Sequence, residues 1–253
     1  MEVHTHSHLA SGETHTARKK WTHYFWEFLM LFLAVFCGFL AENQREHYIE
    51  HLREKQYMRS LLEDLHTDSA TAKRVYNRAL FQANFLDSLI ELGNYGQMNE
   101  VNTNNLYRFH GQITRFLNIH FEDGTSSQLK NAGGMRLIRN RQVAESIRRY
   151  WAKIEMLYRI RDRLETAGEN IADMSSRIFY NKYFIYASDP LEPLIGIKPG
   201  ARLIDDNAKL IAEYVNRVVT KSTRNKIYLT ELKETIQIID QLMSLIKKEY
   251  HLK

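Results

Sequence analysis

Residues 58–90 read MRSLLEDLHTDSATAKRVYNRALFQANFLDSLI. Alternate steps of four and three pick out Met58, Leu62, Leu65, Ser69, Ala72, Tyr76, Ala79, Ala83, Leu86 and Ile90, nine of them apolar. That spacing holds side chains on one stripe of a 3.6-residue helix, so the stretch is read as a long amphipathic helix. Gly93, Asn94 and Gly96 mark its end. A second seam follows Asn140: Val143, Ile147, Tyr150, Ile154, Leu157, Arg161, Leu164, Gly168, Ile171, Ser175 and Ile178. A third runs Ile211, Val215, Val218, Ser222, Asn225, Leu229, Leu232, Ile236, Ile239, Met243, Ile246 and Tyr250. Pro190, Pro193 and Pro199 fall together, so 188–200 is read as a connection that no helix crosses. Between the first two seams, 106–121 is read as a modest helix. A short helix capped by Thr125 or Ser126 follows and ends at Gly133-Gly134.

Upstream of this amphipathic chain lies a different chemistry. Residues 21–41, WTHYFWEFLMLFLAVFCGFLA, contain 17 apolar side chains of 21. As a helix they would reach about 31 Å, the thickness of a bilayer's hydrocarbon core. Trp21, Tyr24 and Trp26 gather at one end, where amphipathic rings favour the water interface, and Glu27 is the only charge. Signal-peptide cleavage after Ala41 would leave Phe39 at −3, and lipoprotein cleavage before Cys37 would need a small residue where Phe36 stands. The segment is therefore read as a retained anchor. Arg18, Lys19 and Lys20 precede it without nearby acids, while Arg45, Arg53 and Lys55 follow it diluted by glutamates. This predicts a cytoplasmic N-terminus and a periplasmic C-terminal domain.

The expected fold class is all-α: an N-terminal transmembrane helix continuing into a stalk, then an antiparallel helical bundle. The expected divisions are a disordered His-containing tail (1–17), an anchor (18–41), a helical stalk (42–57) and the bundle (58–253). With Cys37 alone, neither a disulfide framework nor a cysteine-based zinc site is possible within the chain.

The stretches FLMLFLAVFCGFLAENQREH (28–47) and EKQYMRSLLEDLHTD (54–68), with SSQLKNAGGMRLIRN (126–140), IRRYW (147–151) and the opening MEVHTHSH, resemble an uncharacterised family of bacterial single-pass inner-membrane proteins. The likeness covers the first 70 residues and 125–151. It implies an inner-membrane protein with a helical extramembrane domain, and carries no activity with it.

Four features bear on chemistry. His47-Tyr48-Ile49-Glu50-His51 has the order of the inverted zinc-peptidase motif, with Glu54 one turn on as a third ligand. Such an enzyme needs a cleft and a sheet edge that this sequence does not offer, so a solvated helix face is the preferred reading. His4, His6, His8 and His15 could bind a divalent metal loosely but fix no geometry. Glu27, Ala34 and Gly38 share a face of the apolar helix, a small-residue pattern suited to helix association. Charge is uneven: residues 42–128 carry 9 basic and 12 acidic side chains, and residues 129–187 carry 12 and 6. Arg136, Arg139, Arg141, Arg148 and Arg149, with Lys130 and Lys153, could bind lipid headgroups or a glycan phosphate, or could face the acidic first helix. No stacking platform or recognition motif points to nucleic acid.

No phosphate-binding glycine loop, G-x-S-x-G turn or usable thiol is present, so no cofactor is expected. The expectation is a non-enzymatic membrane-anchored scaffold or interaction protein, with the bilayer and a second copy or an envelope protein as partners. A metal-dependent hydrolase built on the HxxEH helix, or a periplasmic-bundle sensor subunit working with a signalling partner, are the alternatives.

Overall fold

The computed structural model describes residues 17–94, 99–131, 133–185 and 196–252. The histidine-containing tail, Gly96, Pro190 and Pro193 lie outside them. Within the described residues the chain is all-α, with five α-helices and almost no strand. Helix α1 spans Ala17–Asn94, α2 Glu100–Ile113, α3 Gly124–Asn131, α4 Arg141–Ser175 and α5 Ala208–Tyr250. A two-residue antiparallel pair, β1 (Phe184–Ile185) with β2 (Gly196–Ile197), interrupts the long connection before α5. Two compact units divide the chain, Met1–Arg53 and Glu54–Lys253.

Asparagine starts three of these helices. The side chains of Asn99, Asn140 and Asn207 accept from the backbone N–H of Asn102, Val143 and Lys209 respectively, satisfying donors that the first helical turn leaves free. His251 in the left-handed conformation (φ 51°) ends α5.

In the unit from Glu54 onward, hydrogen bonds between segments give the course of the chain. Tyr250 and Ser69 connect α5 to α1 through Glu54 and Asp240, and Asn225 donates to the Ala79 carbonyl. These pairs run in opposite directions along the two helices, so α1 and α5 are antiparallel. Lys153–Glu231 and Arg224–Arg163 make α4 and α5 antiparallel too. Residues 100–140 descend beside α1, from Gln82–Ile113 through Asp68–Glu122 to Glu54–Arg139, and α4 then ascends. The unit is an up-down-up-down arrangement whose second arm is broken into two short helices joined by an extended strap.

The second arm corrects the expected helix over 106–121. Helix α2 begins earlier, at Glu100, and stops at Ile113. From Leu117 to Glu122 the chain is non-helical, and burial alternates strictly: Leu117, Ile119 and Phe121 point inward while Asn118, His120 and Glu122 are exposed. That is a period of two without a partner strand. Its backbone groups find side chains instead: Leu117 N–H donates to Glu165 (2.8 Å), Phe121 N–H to the Tyr158 hydroxyl (3.1 Å), and the Ile119 carbonyl accepts from Arg161 (3.3 Å). The expected caps move as well, because α3 opens at Gly124 and encloses Thr125 and Ser126. Gly133, at φ +68°, supplies the turn after it.

The seam of α1 is regular but displaced on alternate rungs. Glu54, Met58, Leu61, Leu65, Asp68, Ala72, Val75, Ala79, Gln82, Leu86 and Leu89 are all at most 3% exposed. Three polar residues at 14-residue intervals thus occupy core positions. The apolar core forms two clusters, one containing Met58, Leu65, Ile147 and Ile239, the other Leu86, Leu106, Ile171 and Tyr214. Between them lies a polar layer with Gln82, Lys221 and Asn225, each at most 3% exposed. Gln82 Nε2 donates to the carbonyls of Gln112, Ile113 and Arg115, and Lys221 Nζ to that of Ile113 (2.6 Å).

Near the end of α1, Gly93 lets α5 approach: a Cβ there would lie 2.3 Å from Val215 Cγ2. Replacing a helical glycine with alanine gains about 1 kcal/mol of propensity, but overpacking against a β-branched neighbour costs about 1–3 kcal/mol. Gly93→Ala is expected to destabilise the domain in chemical denaturation, and Gly93→Ala with Val215→Ala to lose the clash between the two positions. A Gly93→Ala variant more stable than the wild type would contradict this packing.

Candidate functional site

Thirteen large apolar side chains between Trp21 and Leu40 are 43–74% exposed. Among the described residues, α1 is the one helix long and apolar enough to cross a membrane, and none of its most apolar window is buried. Glu27, Ala34 and Gly38 all lie in this part of α1 and are exposed. Nothing stands within 4 Å of a Cβ built on Gly38.

The HxxEH residues occupy the same helix. His47 Nδ1 is 3.8 Å from the Glu50 carboxylate. Glu54, the third residue of that alternative metal set, turns into the bundle at 2% exposure, where its Oε1 accepts from Arg139 N–H (2.9 Å) and the Tyr250 hydroxyl (2.6 Å). Among the described residues no group of three or more His, Cys, Asp or Glu side chains is placed to hold a metal.

Arg136, Arg139, Arg141, Arg148 and Arg149 are exposed. Arg141 pairs with Glu145 (2.9 Å) one turn along its own helix. Lys153 is buried and pairs with Glu231 (2.5 Å) and Glu234 (2.6 Å) of α5. The ion pairing expected with the acidic first helix is thus made by this lysine with the last helix. Arg149 borders a groove of about 630 Å³ between α4 and α5, together with Lys248 and Asp240.

A second concavity has more chemistry. The non-helical strap Ile119–Asp123, the α3 residues Ser126 and Lys130, and the α4 face from Tyr150 to Arg161 enclose a cleft of about 420 Å³. Phe121, Tyr150, Trp151 and Tyr158 supply aromatic rings, and Phe121 packs at 6.0 Å from Tyr158. The cleft exists because the strap is extended there, with every second side chain turned out. Trp151 is fixed by donating its indole N–H to Ser126 Oγ (2.9 Å). Lys130 Nζ lies 4.6 Å from the Trp151 ring centroid, and the Arg161 guanidinium 4.9 Å from that of Tyr158.

Behind the cleft, Asp68 accepts from Glu122 N–H (2.8 Å) and from the Tyr150 hydroxyl. Burial raises the Asp68 carboxyl to about 6, against the pull of the Tyr150 and Glu122 hydrogen bonds. In the polar layer, burial lowers Lys221 to about 8, opposed by Glu165. Deeper in the second cluster, His110 Nδ1 lies 2.8 Å from the Tyr214 hydroxyl and its ring stacks on Phe179 at 4.5 Å. Burial, then the Lys221 charge, lowers His110 to about 3, so the imidazole beside the tyrosine hydroxyl is neutral. The sequence reading singled out none of Asp68, His110 or Lys221. The hydrophilic residues at three-four spacing on α1 were the available signal for the first.

No family model, curated protein or solved structure matches the chain.

The Asp68 carboxyl titrates higher folded than its ordinary 3.8, so the fold favours its protonated form. Its ionisation therefore costs stability above pH 6, and that cost disappears as pH falls towards 4. Between pH 7 and 4 the wild type is expected to gain about 1–2 kcal/mol relative to Asp68→Asn. The opposing loss from His110, common to both proteins, cancels in the difference. Parallel stability–pH curves from urea denaturation would contradict the assignment.

Proposed function

We propose that this chain is a membrane-anchored, non-enzymatic interaction protein of the bacterial inner membrane, held by residues 21–41 with its N-terminus in the cytoplasm and its helical domain in the periplasm. The observation that carries this reading is the run of exposed apolar side chains from Trp21 to Leu40, beside a unit from Glu54 onward that buries its own two apolar clusters. An exposed apolar surface of that size is costly in water and favourable in hydrocarbon. Membership of the uncharacterised single-pass family belongs to the same proposal. So does self-association along the open face of Glu27, Ala34 and Gly38.

The bundle's role is recognition. Its perturbed groups are committed to structure: Asp68 and Glu165 hold backbone N–H groups, and Lys221 holds a carbonyl. The open cleft beside the strap favours a sensing role, in which the anchor places a binding domain at the membrane and a partner subunit carries the signal.

The full chain is expected to stay with membranes through alkaline carbonate extraction, and a variant lacking residues 21–41 to partition into the soluble fraction. Recovery of the intact chain as a soluble protein would overturn the anchor. For orientation, Cys37→Ala with Glu91→Cys is expected to be labelled in intact cells by a thiol reagent that crosses only the outer membrane. Protection until lysis would place the bundle in the cytoplasm instead.

A further inference from the structure

The cleft beside the strap combines an aromatic floor with three exposed carboxylates on its border. Trp151 and Tyr158 lie two turns apart on α4, about 10 Å along the helix, with Ile154 and Glu155 between them. Glu122, Asp123 and Glu155 are exposed on its borders, and none of the three carboxylates forms an ion pair among the described residues. The two cations at the cleft are held differently. Arg161 donates to the Ile119 carbonyl and to Asp162 (2.6 Å), so its charge is locally matched and its position fixed. Lys130 sits over the Trp151 ring and makes neither hydrogen bond nor ion pair among the described residues. Its flexible ammonium marks where the ring accepts positive charge.

We propose that this cleft binds an organic cation of the linear polyamine or alkylammonium class. One ammonium replaces Lys130 over Trp151, and the rest of the ligand lies along Ile154 towards Tyr158, with Glu122, Asp123 and Glu155 balancing its charge. Ring-face attraction and nearby carboxylates both favour a cation. An anion would meet three carboxylates, and a neutral polyol would have no means of displacing the lysine. The ammonium could arrive as a free polyamine or as a lipid headgroup amine, and the chemistry of capture is the same. The inference depends on the recognition role proposed above but not on membrane orientation.

The test uses the full chain in a nonionic maltoside detergent, titrated calorimetrically with spermidine and, separately, with glycerophosphoethanolamine. Saturable binding of either supports the site, and the tighter one identifies the source. Asp123→Asn with Glu155→Gln is expected to weaken binding by about tenfold, equivalent to about 1.4 kcal/mol. Lys130→Gln is expected to strengthen it by about threefold by removing the internal competitor. Circular dichroism of each variant separates a lost site from a lost fold. No binding by either wild type or Lys130→Gln would overturn the proposal, as would weaker binding by Lys130→Gln. Preferential binding of citrate or of a neutral oligosaccharide would also overturn it. Carbonate extraction of the same preparation reports on the anchor, so failure of the ligand and failure of the anchored reading remain distinguishable.

Discussion

The carboxylate of Asp68 accepts the Glu122 backbone N–H inside the bundle, and the shape of the domain depends on that bond and its counterparts. The second arm of the up-down-up-down unit is extended over 117–122, so its backbone cannot satisfy itself as a helix does. Buried peptide groups left unbonded cost about 1–3 kcal/mol each. Helix α1 answers with Glu54, Asp68 and Gln82 at 14-residue intervals along its buried stripe, each bonded to a different level of the descending arm. Glu165, Tyr158 and Arg161 of α4 do the same from the other side. Polar residues in a heptad core lower packing stability but fix register. Here they set where the arm sits along α1.

The cleft follows from that arrangement. A continuous fourth helix would lie against α4 along its length and cover Trp151, Ile154 and Tyr158. The strap presents only alternate side chains, so part of the α4 face stays open to solvent between the strap and α3. The same hydrogen bonds that replace a helix therefore leave an open cleft, while burial raises the Asp68 carboxyl behind it against their pull. Dynamics should follow the same division. The strap is tied down by discrete polar contacts and three inward apolar side chains, while α1, α4 and α5 are locked by long contiguous apolar seams.

Much of the architecture is legible in the sequence, and particular residues explain the rest. The second seam is buried at Val143, Ile147, Tyr150, Leu157, Leu164 and Ile171, and Asn140 caps its helix. The third is buried at Ile211, Val218, Leu232, Ile239 and Ile246. On α1 the apolar count favoured Leu62, Ser69, Tyr76, Ala83 and Ile90 over neighbours one residue earlier. Asp68 and Gln82 look like surface residues until their backbone partners, 54 and about 31 positions away, are known. The alternation in Leu117–Ile119–Phe121 was present but short, and lay inside a run that also fits a helix. Glu54 shared a helical face with His47 and His51, yet spacing alone could not reveal that its carboxylate is held by Arg139 and Tyr250.

The most direct measurement of this account is amide hydrogen exchange at Glu122 and Leu117 in the wild type, Asp68→Asn and Asp68→Ala. The side-chain acceptor is the cause proposed for the strap's position. Glu122 should therefore be protected in the wild type and in Asp68→Asn, which keeps an oxygen acceptor, and should exchange rapidly in Asp68→Ala. Leu117, held separately by Glu165, should keep its protection in all three. Equal protection of Glu122 in Asp68→Ala and wild type would contradict the account, because the strap would then be held by packing alone.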